Sequence, residues 1–192
     1  MSTPDGFLSV PAASTGDPEA GELVVLVDAD GTPTGTARKS AVHGLATPLH
    51  LAFSCHVFDA GGRVLMTRRA LGKLTWPGVW TNSFCGHPGP DETIPDAVRR
   101  RAVRELGLEL GALDPVLPDF RYRAVDASGI VENEICPVYR AVVEVDPRPA
   151  VDEVAEWAWV GFDDLRAAVA ATPFAFSPWL ALQLAAWPRL LP

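Results

Sequence analysis

Side chains able to bind a metal or carry a proton recur in close pairs along this 192-residue chain. His43 and His50 flank the start of an apolar run, Cys85 and His87 lie two apart, and so do Glu132 and Glu134. Residues two apart on an extended strand share a face, so Glu132 and Glu134 project together. Adjacent carboxylates repel unless a cation, a shared proton or water lies between them. Three imidazoles and two carboxylates form a donor set suited to octahedral Mn²⁺ or Mg²⁺. The same pattern also fits a solvated strand face with structural histidines. His56 alternates in phase with His50, yet has no role in this set and reads as structural.

Cys85 sits in Thr81-Asn-Ser-Phe-Cys-Gly-His87, a turn-forming context that could expose a thiol. A thiolate there could serve as base or nucleophile if a cation favoured it; the plain alternative is a buried, inert cysteine, the reading that holds for Cys55 and Cys136. Arg68, Arg69 and Lys73, with Arg38 and Lys39 upstream, form a basic cluster. Guanidinium forks match phosphate oxygens, although a solvated hairpin end has the same composition.

Several elements must hold these residues. Residues 22–28 read as a buried strand closed by a turn at 29–31. Residues 49–58 and 63–67 read as a hairpin around Asp59-Ala-Gly-Gly62. The Gly-, Pro- and Trp-rich stretch 70–91 is too long for an idle loop and reads as functional. A helix follows, with Thr93 as cap, Pro95 in its first turn, Gly107 at its end and Val98, Ala102 and Leu106 as its apolar stripe. A strand pair at 120–125 and 131–145, a short strand at 157–160 and helices at 163–171 and 179–187 complete the pattern. Irregular interleaving of this kind predicts α/β layers around a mixed sheet.

The composition sets bounds. A chain of this length suits one domain. The formal charge of -8 and pI of about 4.9 argue against a nucleic-acid partner, which needs a basic surface, but leave room for a small anion held by a local cationic cluster. Three cysteines make no disulfide framework. The first residues lack a basic segment followed by an apolar one, and no apolar run reaches the length of a membrane span. A cytoplasmic protein with no membrane partner is the expectation; oligomeric state has no signature in the pattern.

Gly86, Glu92, Arg100, Glu105, Gly107 and Leu108 fall on the spacing of the Nudix box, with Arg101 and Arg104 standing where the box has glutamates that hold catalytic Mg²⁺ in its hydrolases. The runs Pro48-Leu-His-Leu-Ala-Phe53, Thr67-Arg-Arg-Ala-Leu71, Trp76-Pro-Gly-Val-Trp-Thr-Asn82, Cys85-Gly-His-Pro88, Pro118-Asp-Phe-Arg-Tyr-Arg123, Gly129-Ile-Val-Glu-Asn-Glu134 and Ser177-Pro-Trp179 together resemble the type I isopentenyl-diphosphate isomerase family.

That resemblance implies an α/β (α+β) fold of Nudix type, a mixed β-sheet sandwiched between helices. It would form a single domain over residues 21–192, after a flexible tail at 1–20. It implies an isomerase of isoprenoid biosynthesis that interconverts isopentenyl and dimethylallyl diphosphate. The alternatives are a Nudix diphosphohydrolase acting on a small diphosphate and a non-catalytic diphosphate-binding domain. The resemblance also implies roles. His43, His50, His87, Glu132 and Glu134 would bind a metal, Mn²⁺ or Mg²⁺, with Zn²⁺ acceptable on isolation. Glu105 would hold a second Mg²⁺. Cys85 and Glu134, assisted by Tyr122, would exchange protons with substrate. Lys39, Arg69, Lys73 and Arg101 would contact the diphosphate, and Trp179 would wall the hydrocarbon pocket, with Trp76 near it. No flavin or nicotinamide is implied.

Overall fold

The computed structural model describes residues 8–9 and 21–187. The flexible tail expected at 1–20 therefore lies outside the described residues except for Leu8–Ser9, which form strand β1. The first half of the chain continues with β2 (Leu23–Val27), β3 (Pro33–Arg38), helix α1 (Lys39–Val42), β4 (His50–Leu51), β5 (Phe53–Asp59), β6 (Arg63–Arg69), β7 (Trp80–Thr81) and β8 (Phe84–Gly86). Helix α2 (Ile94–Leu106) precedes β9 (Asp114–Leu117), β10 (Arg121–Val125), β11 (Val131–Ile135), β12 (Val138–Val143) and β13 (Val154–Gly161). Helices α3 (Phe162–Ala171) and α4 (Pro178–Ala186) follow.

The strands divide into two mixed sheets. The larger runs β1-β13-β6-β5-β12-β9, with β7 paired to β6 and β8 to β5; the smaller runs β10-β11-β4-β2-β3. Two stretches of chain belong to both. Residues 50–59 and 134–143 run parallel, pairing Glu134 with His50 in the smaller sheet and Val138 with Ser54 in the larger. The apolar pattern at 131–145 reads as one strand but forms two, because Pro137 has no N–H to give a ladder and the chain changes sheet there. The stretch at 49–58 divides in the same way between Leu51 and Phe53.

Helices cover both faces of the larger sheet. On one face the apolar stripe of α2, Val98, Ala102 and Leu106, is fully buried against Phe53, Leu65 and Phe84. On the other, Leu165, Val169, Leu180 and Leu184 of α3 and α4 pack on Phe58, Val64 and Met66. Each such side chain withdrawn from water contributes about 1.5–3 kcal/mol. Helix α2 is bounded as its sequence predicts. The Thr93 hydroxyl accepts the Asp96 amide at 3.3 Å, and Gly107 closes the helix at φ 62°, its amide donating to Val103 O at 3.0 Å. Gly86 brings β8 onto the helix: a Cβ there would stand 2.8 Å from Phe53 Cζ and 3.0 Å from Arg101 Cγ.

The Gly107 cap gives a direct test. A Cβ there would lie 3.2 Å from both Cβ and O of Arg148, on a left-handed backbone. Gly107→Ala is expected to lower the unfolding free energy in urea by about 1–2 kcal/mol; an unchanged midpoint would contradict this account of the helix end.

Candidate active site and metal centre

The crossing of the two sheets assembles the polar centre. His43 ends α1, His50 opens β4, His87 follows β8, and Glu132 and Glu134 lie on β11. Their imidazole rings stand 5.1–5.6 Å apart, centroid to centroid. Glu134 Oε1 lies 3.2 Å from His87 Nε2 and 3.5 Å from His50 Nε2. Glu132 Oε2 lies 2.9 Å from His43 Nε2, and its other oxygen accepts the Thr75 hydroxyl at 2.8 Å.

One donor atom from each of His43, His50, His87 and Glu134 falls within 4.8 Å of every other. Metal–ligand bonds of about 2.1 Å place donors about 3–4.2 Å apart around an octahedral ion, so these side chains fit a single divalent cation. The buried Nε2 atoms of His43 and His50 have only the Glu132 and Glu134 carboxylates as near partners, an arrangement that suits donors shared by one ion. His50 donates from Nδ1 to Pro48 O, 2.9 Å away, the outer contact that orients a ligating imidazole. Glu105 does not join this group among the described residues.

Burial and the charges around it set the proton affinities. Burial alone would raise the Glu134 carboxyl, but hydrogen bonds and charge from His50 and His87 hold it well below the usual range. Burial pushes His87 down to about 3 against the opposing pull of Glu134. Burial also acts to lower His50, and there Glu134, Pro48 and Glu132 outweigh it and leave the ring raised.

A cavity of about 420 Å³ opens beside this centre and is lined by Cys85, Tyr122, Glu132, Glu134 and Trp179, together with the cations Lys39, Arg69, Lys73 and Arg101. Burial pushes the Cys85 thiol up to about 12, so it stays protonated at neutral pH, with its hydrogen bonds to Ser54 and Asn82 opposing the shift. Tyr122 is the cross-strand partner of Glu134, and its ring lies 5.8 Å from that of Trp179. Trp179 meets Trp76 edge-on at 5.3 Å. Trp76 holds a left-handed backbone at φ 43°, a strained conformation for a bulky residue that sets its ring against Trp179.

The cationic end is built of alternating charges. Arg101, almost wholly buried, donates from Nε to Glu105 at 2.7 Å and lies 3.2 Å from Glu153 and 3.6 Å from Glu22. Lys73 pairs with Glu153, and Lys39 with Glu22 at 3.2 Å. Burial lifts the Glu105 carboxyl, Arg101 countering it. Arg69 instead donates to the carbonyl and hydroxyl oxygens of Thr75 at 2.9–3.1 Å and lies 5.5 Å from the Trp179 ring.

Sequence reasoning missed Glu22, Thr75, Asn82 and Glu153. Glu153 is one of four acids in the Pro-containing connection 144–153 and has no periodic signal, and Asn82 is an ordinary turn residue by type. Asn82 Oδ1 nonetheless accepts from Trp179 Nε1 at 3.0 Å, Cys85 Sγ at 3.3 Å and Thr81 Oγ1 at 2.9 Å. Of the outlying basic residues, Arg68 pairs with Glu156 at 2.9 Å and is not among the cavity's lining residues. His56 is buried outside the cavity and bonded to Gln183 at 2.8 Å.

The two sheets, the flanking helices and the polar centre beside α2 place the chain in a known class: residues 48–180 match the NUDIX domain family. The crystal structure of a protein from Deinococcus radiodurans shares the fold, with TM-score 0.69 at 20 % identity over 88 % of this chain and 100 % of that one. A MutT NUDIX hydrolase from Burkholderia pseudomallei does so with TM-score 0.56 at 23 % identity over 71 % and 96 %. Sequence similarity is far closer to one branch. The isopentenyl-diphosphate Delta-isomerase of Clavibacter michiganensis subsp. michiganensis is 68 % identical over 169 residues, 87 % of this chain and 86 % of that protein. Its counterpart from Agromyces mediolanus is 62 % identical over 183 residues, 95 % and 89 %. The chain belongs to the NUDIX family and, within it, to the isopentenyl-diphosphate Delta-isomerases.

His56 makes the pH dependence of stability testable. Burial lowers its imidazole from 6.5 to about 4. Between those values the unfolded chain binds the extra proton, so the folded state weakens as pH falls from about 6.5 to about 4 and loses no more on this account below that. The contribution is on the order of 3 kcal/mol. Urea unfolding across this range is expected to show a shallower slope for His56→Gln, which keeps a donor toward Gln183 but does not titrate. Equal slopes would refute the assignment.

Proposed function

We propose that this chain interconverts isopentenyl diphosphate and dimethylallyl diphosphate, an isomerisation that serves isoprenoid biosynthesis, by proton exchange through Cys85 and Glu134. The observation that carries this reading is the opening of both groups into one cavity, with the Trp179 ring and four cations on the same walls. In the forward direction a proton adds to the terminal alkene carbon and another leaves the methylene two carbons away. The electron pair of that broken C–H bond becomes the new double bond. No electrons are gained or lost overall, so the reaction needs no flavin or nicotinamide.

Cys85 holds a proton and Glu134 does not. Each group gives or takes according to the direction of reaction, and the pair carries one proton before and after turnover, lending it to the substrate in between. Tyr122 lies beside Glu134 across the strand pair and assists it. Protonation of the alkene develops tertiary cation character. An indole face stabilises such charge by about 2 kcal/mol or more when water is excluded, roughly thirtyfold in rate. Loop 70–79, with Trp76, closes that side against water, which would quench the cation.

His43, His50, His87, Glu132 and Glu134 would hold Mn²⁺ or Mg²⁺, and the same donors accept Zn²⁺; a bound cation supplies positive charge that steadies the Glu134 carboxylate and sharpens its acidity. Lys39, Arg69, Lys73 and Arg101 would take the diphosphate, and Glu105 would bind a Mg²⁺ against it. Binding at that end is remote from the reacting carbons and can be directed to orienting them. Arg101 supports isomerisation over diphosphate hydrolysis, because it puts a buried cation where the hydrolase box has a metal-binding glutamate. Three free thiols support a cytoplasmic location, and no helix among the described residues is long and apolar enough to cross a membrane.

Incubation of the purified chain with isopentenyl diphosphate and Mg²⁺ in D₂O is expected to yield deuterated allylic product without phosphate release. Cys85→Ala and Glu134→Gln should each lower turnover about 10³-fold or more while circular dichroism stays unchanged. Phosphate release without allylic product, or near-normal turnover by either variant, would count against the proposal.

A further inference from the structure

Behind Cys85, on the side away from the cavity, a file of buried polar side chains leads to its sulfur. His56 Nε2 lies 2.8 Å from Gln183 Oε1, Gln183 Nε2 lies 2.8 Å from Ser54 Oγ, and Ser54 Oγ lies 3.2 Å from Cys85 Sγ. His56, Ser54 and Gln183 have no exposed surface at all. Polar groups sealed in a core destabilise it unless each bond is made, and three of them in line between two catalytic-sheet strands and α4 call for an explanation.

The file has a polarity. His56 Nδ1 has no partner, and an unpaired buried N–H is rarer and costlier than an unpaired acceptor. The ring proton therefore sits on Nε2 and goes to Gln183 Oε1. That turns the Gln183 amide nitrogen toward Ser54, which must accept from it. The Ser54 hydroxyl proton is then left to give, and the nearer sulfur is that of Cys85, with Cys136 Sγ at 3.4 Å. On its other side Cys85 donates its own S–H to Asn82 Oδ1 at 3.3 Å. Asn82 cannot turn, because its Nδ2 is committed to Cys55 O and Phe84 O at 3.1 and 2.8 Å.

We propose that Ser54 is a positioning residue for the isomerisation: held as a donor by Gln183 and His56, it fixes the Cys85 sulfur from behind and leaves the S–H free to swing between Asn82 and the substrate. The inference rests on Cys85 exchanging a proton with substrate. During that exchange the C–H or S–H bond that breaks leaves its electron pair on carbon or sulfur, and the Ser54 hydrogen bond to sulfur strengthens whenever sulfur has given its proton away. Ser54 touches no substrate; its effect passes through Cys85, and that of Gln183 passes through Ser54.

The test is steady-state kinetics on isopentenyl diphosphate for the parent, Cys85→Ala, Ser54→Ala, Gln183→Met and the Ser54→Ala/Gln183→Met double variant. Ser54→Ala is expected to lower kcat about tenfold or more with KM within about twofold of the parent. Gln183→Met should lower kcat less, and the double variant should be no slower than Ser54→Ala alone, because both changes act on one bond. Ser54→Thr, which keeps the hydroxyl, should recover part of the loss. A Ser54→Ala kcat within about twofold of the parent, or losses that multiply in the double variant, would overturn the proposal. Should Ser54→Ala not fold, Gln183→Met decides: unchanged kcat overturns it, and reduced kcat at constant KM supports it. Full turnover by Cys85→Ala would instead remove the reading on which the proposal stands.

Discussion

The site depends on two stretches of chain that run parallel and change sheet together. Residues 50–59 and 134–143 pair His50 with Glu134 in the smaller sheet and Ser54 with Val138 in the larger. Parallel pairing fixes relative height along both strands, so this register sets the Glu134 carboxylate among the imidazoles, while the antiparallel pairing of β5 with β8 sets Ser54 beside Cys85. A slip of one residue would turn Glu134 to the other face and away from the histidines. Pro137 is the local cause of the change of sheet, since the ladder cannot continue through a residue without an N–H.

A strongly acidic chain that binds a diphosphate must concentrate its cations. It does so by interleaving Arg101, Lys73 and Lys39 with Glu105, Glu153 and Glu22 beside the cavity. Removing charges from water is costly unless they are paired, and the acidic partners keep the cations in place. Arg69 is held differently, by neutral oxygens of Thr75, and its position near Trp179 joins the anion-binding end to the hydrocarbon end. The replacement of a box glutamate by Arg101 thus changes the whole electrostatic character of a scaffold shared with hydrolases.

Asn82 links the Cys85 thiol and the Trp179 ring. One carbonyl oxygen takes hydrogen bonds from Cys85 and from Trp179, so the two cannot drift apart without breaking a buried bond. With Ser54 on its other side, the thiol is held at two points. Burial pushes the Cys85 thiol up, and paired histidines hold the Glu134 carboxyl down, so the two groups differ in proton affinity.

The sequence by itself determined the local elements and the chemical inventory. The caps and stripe of α2, the hairpin at 59–62 and the Cys, His and Glu residues with chemical potential were all legible, because each depends on neighbours within a few positions: capping geometry, strand alternation, turn preference. The family-specific runs carried the remaining assignments. Only the tertiary structure decided that His43, His50, His87 and Glu134 meet at one point, that 131–145 is two strands in two sheets, that Glu153 pairs with Arg101 and Lys73, and that Asn82, Gln183 and His56 connect to the Cys85 thiol. Those residues are 50 to 130 positions from some of the partners they bond, and their types carry no period or spacing that points to one another. What brings them together is long-range strand pairing and core packing, whose energy is shared over the whole fold and is therefore written in no short stretch of chain.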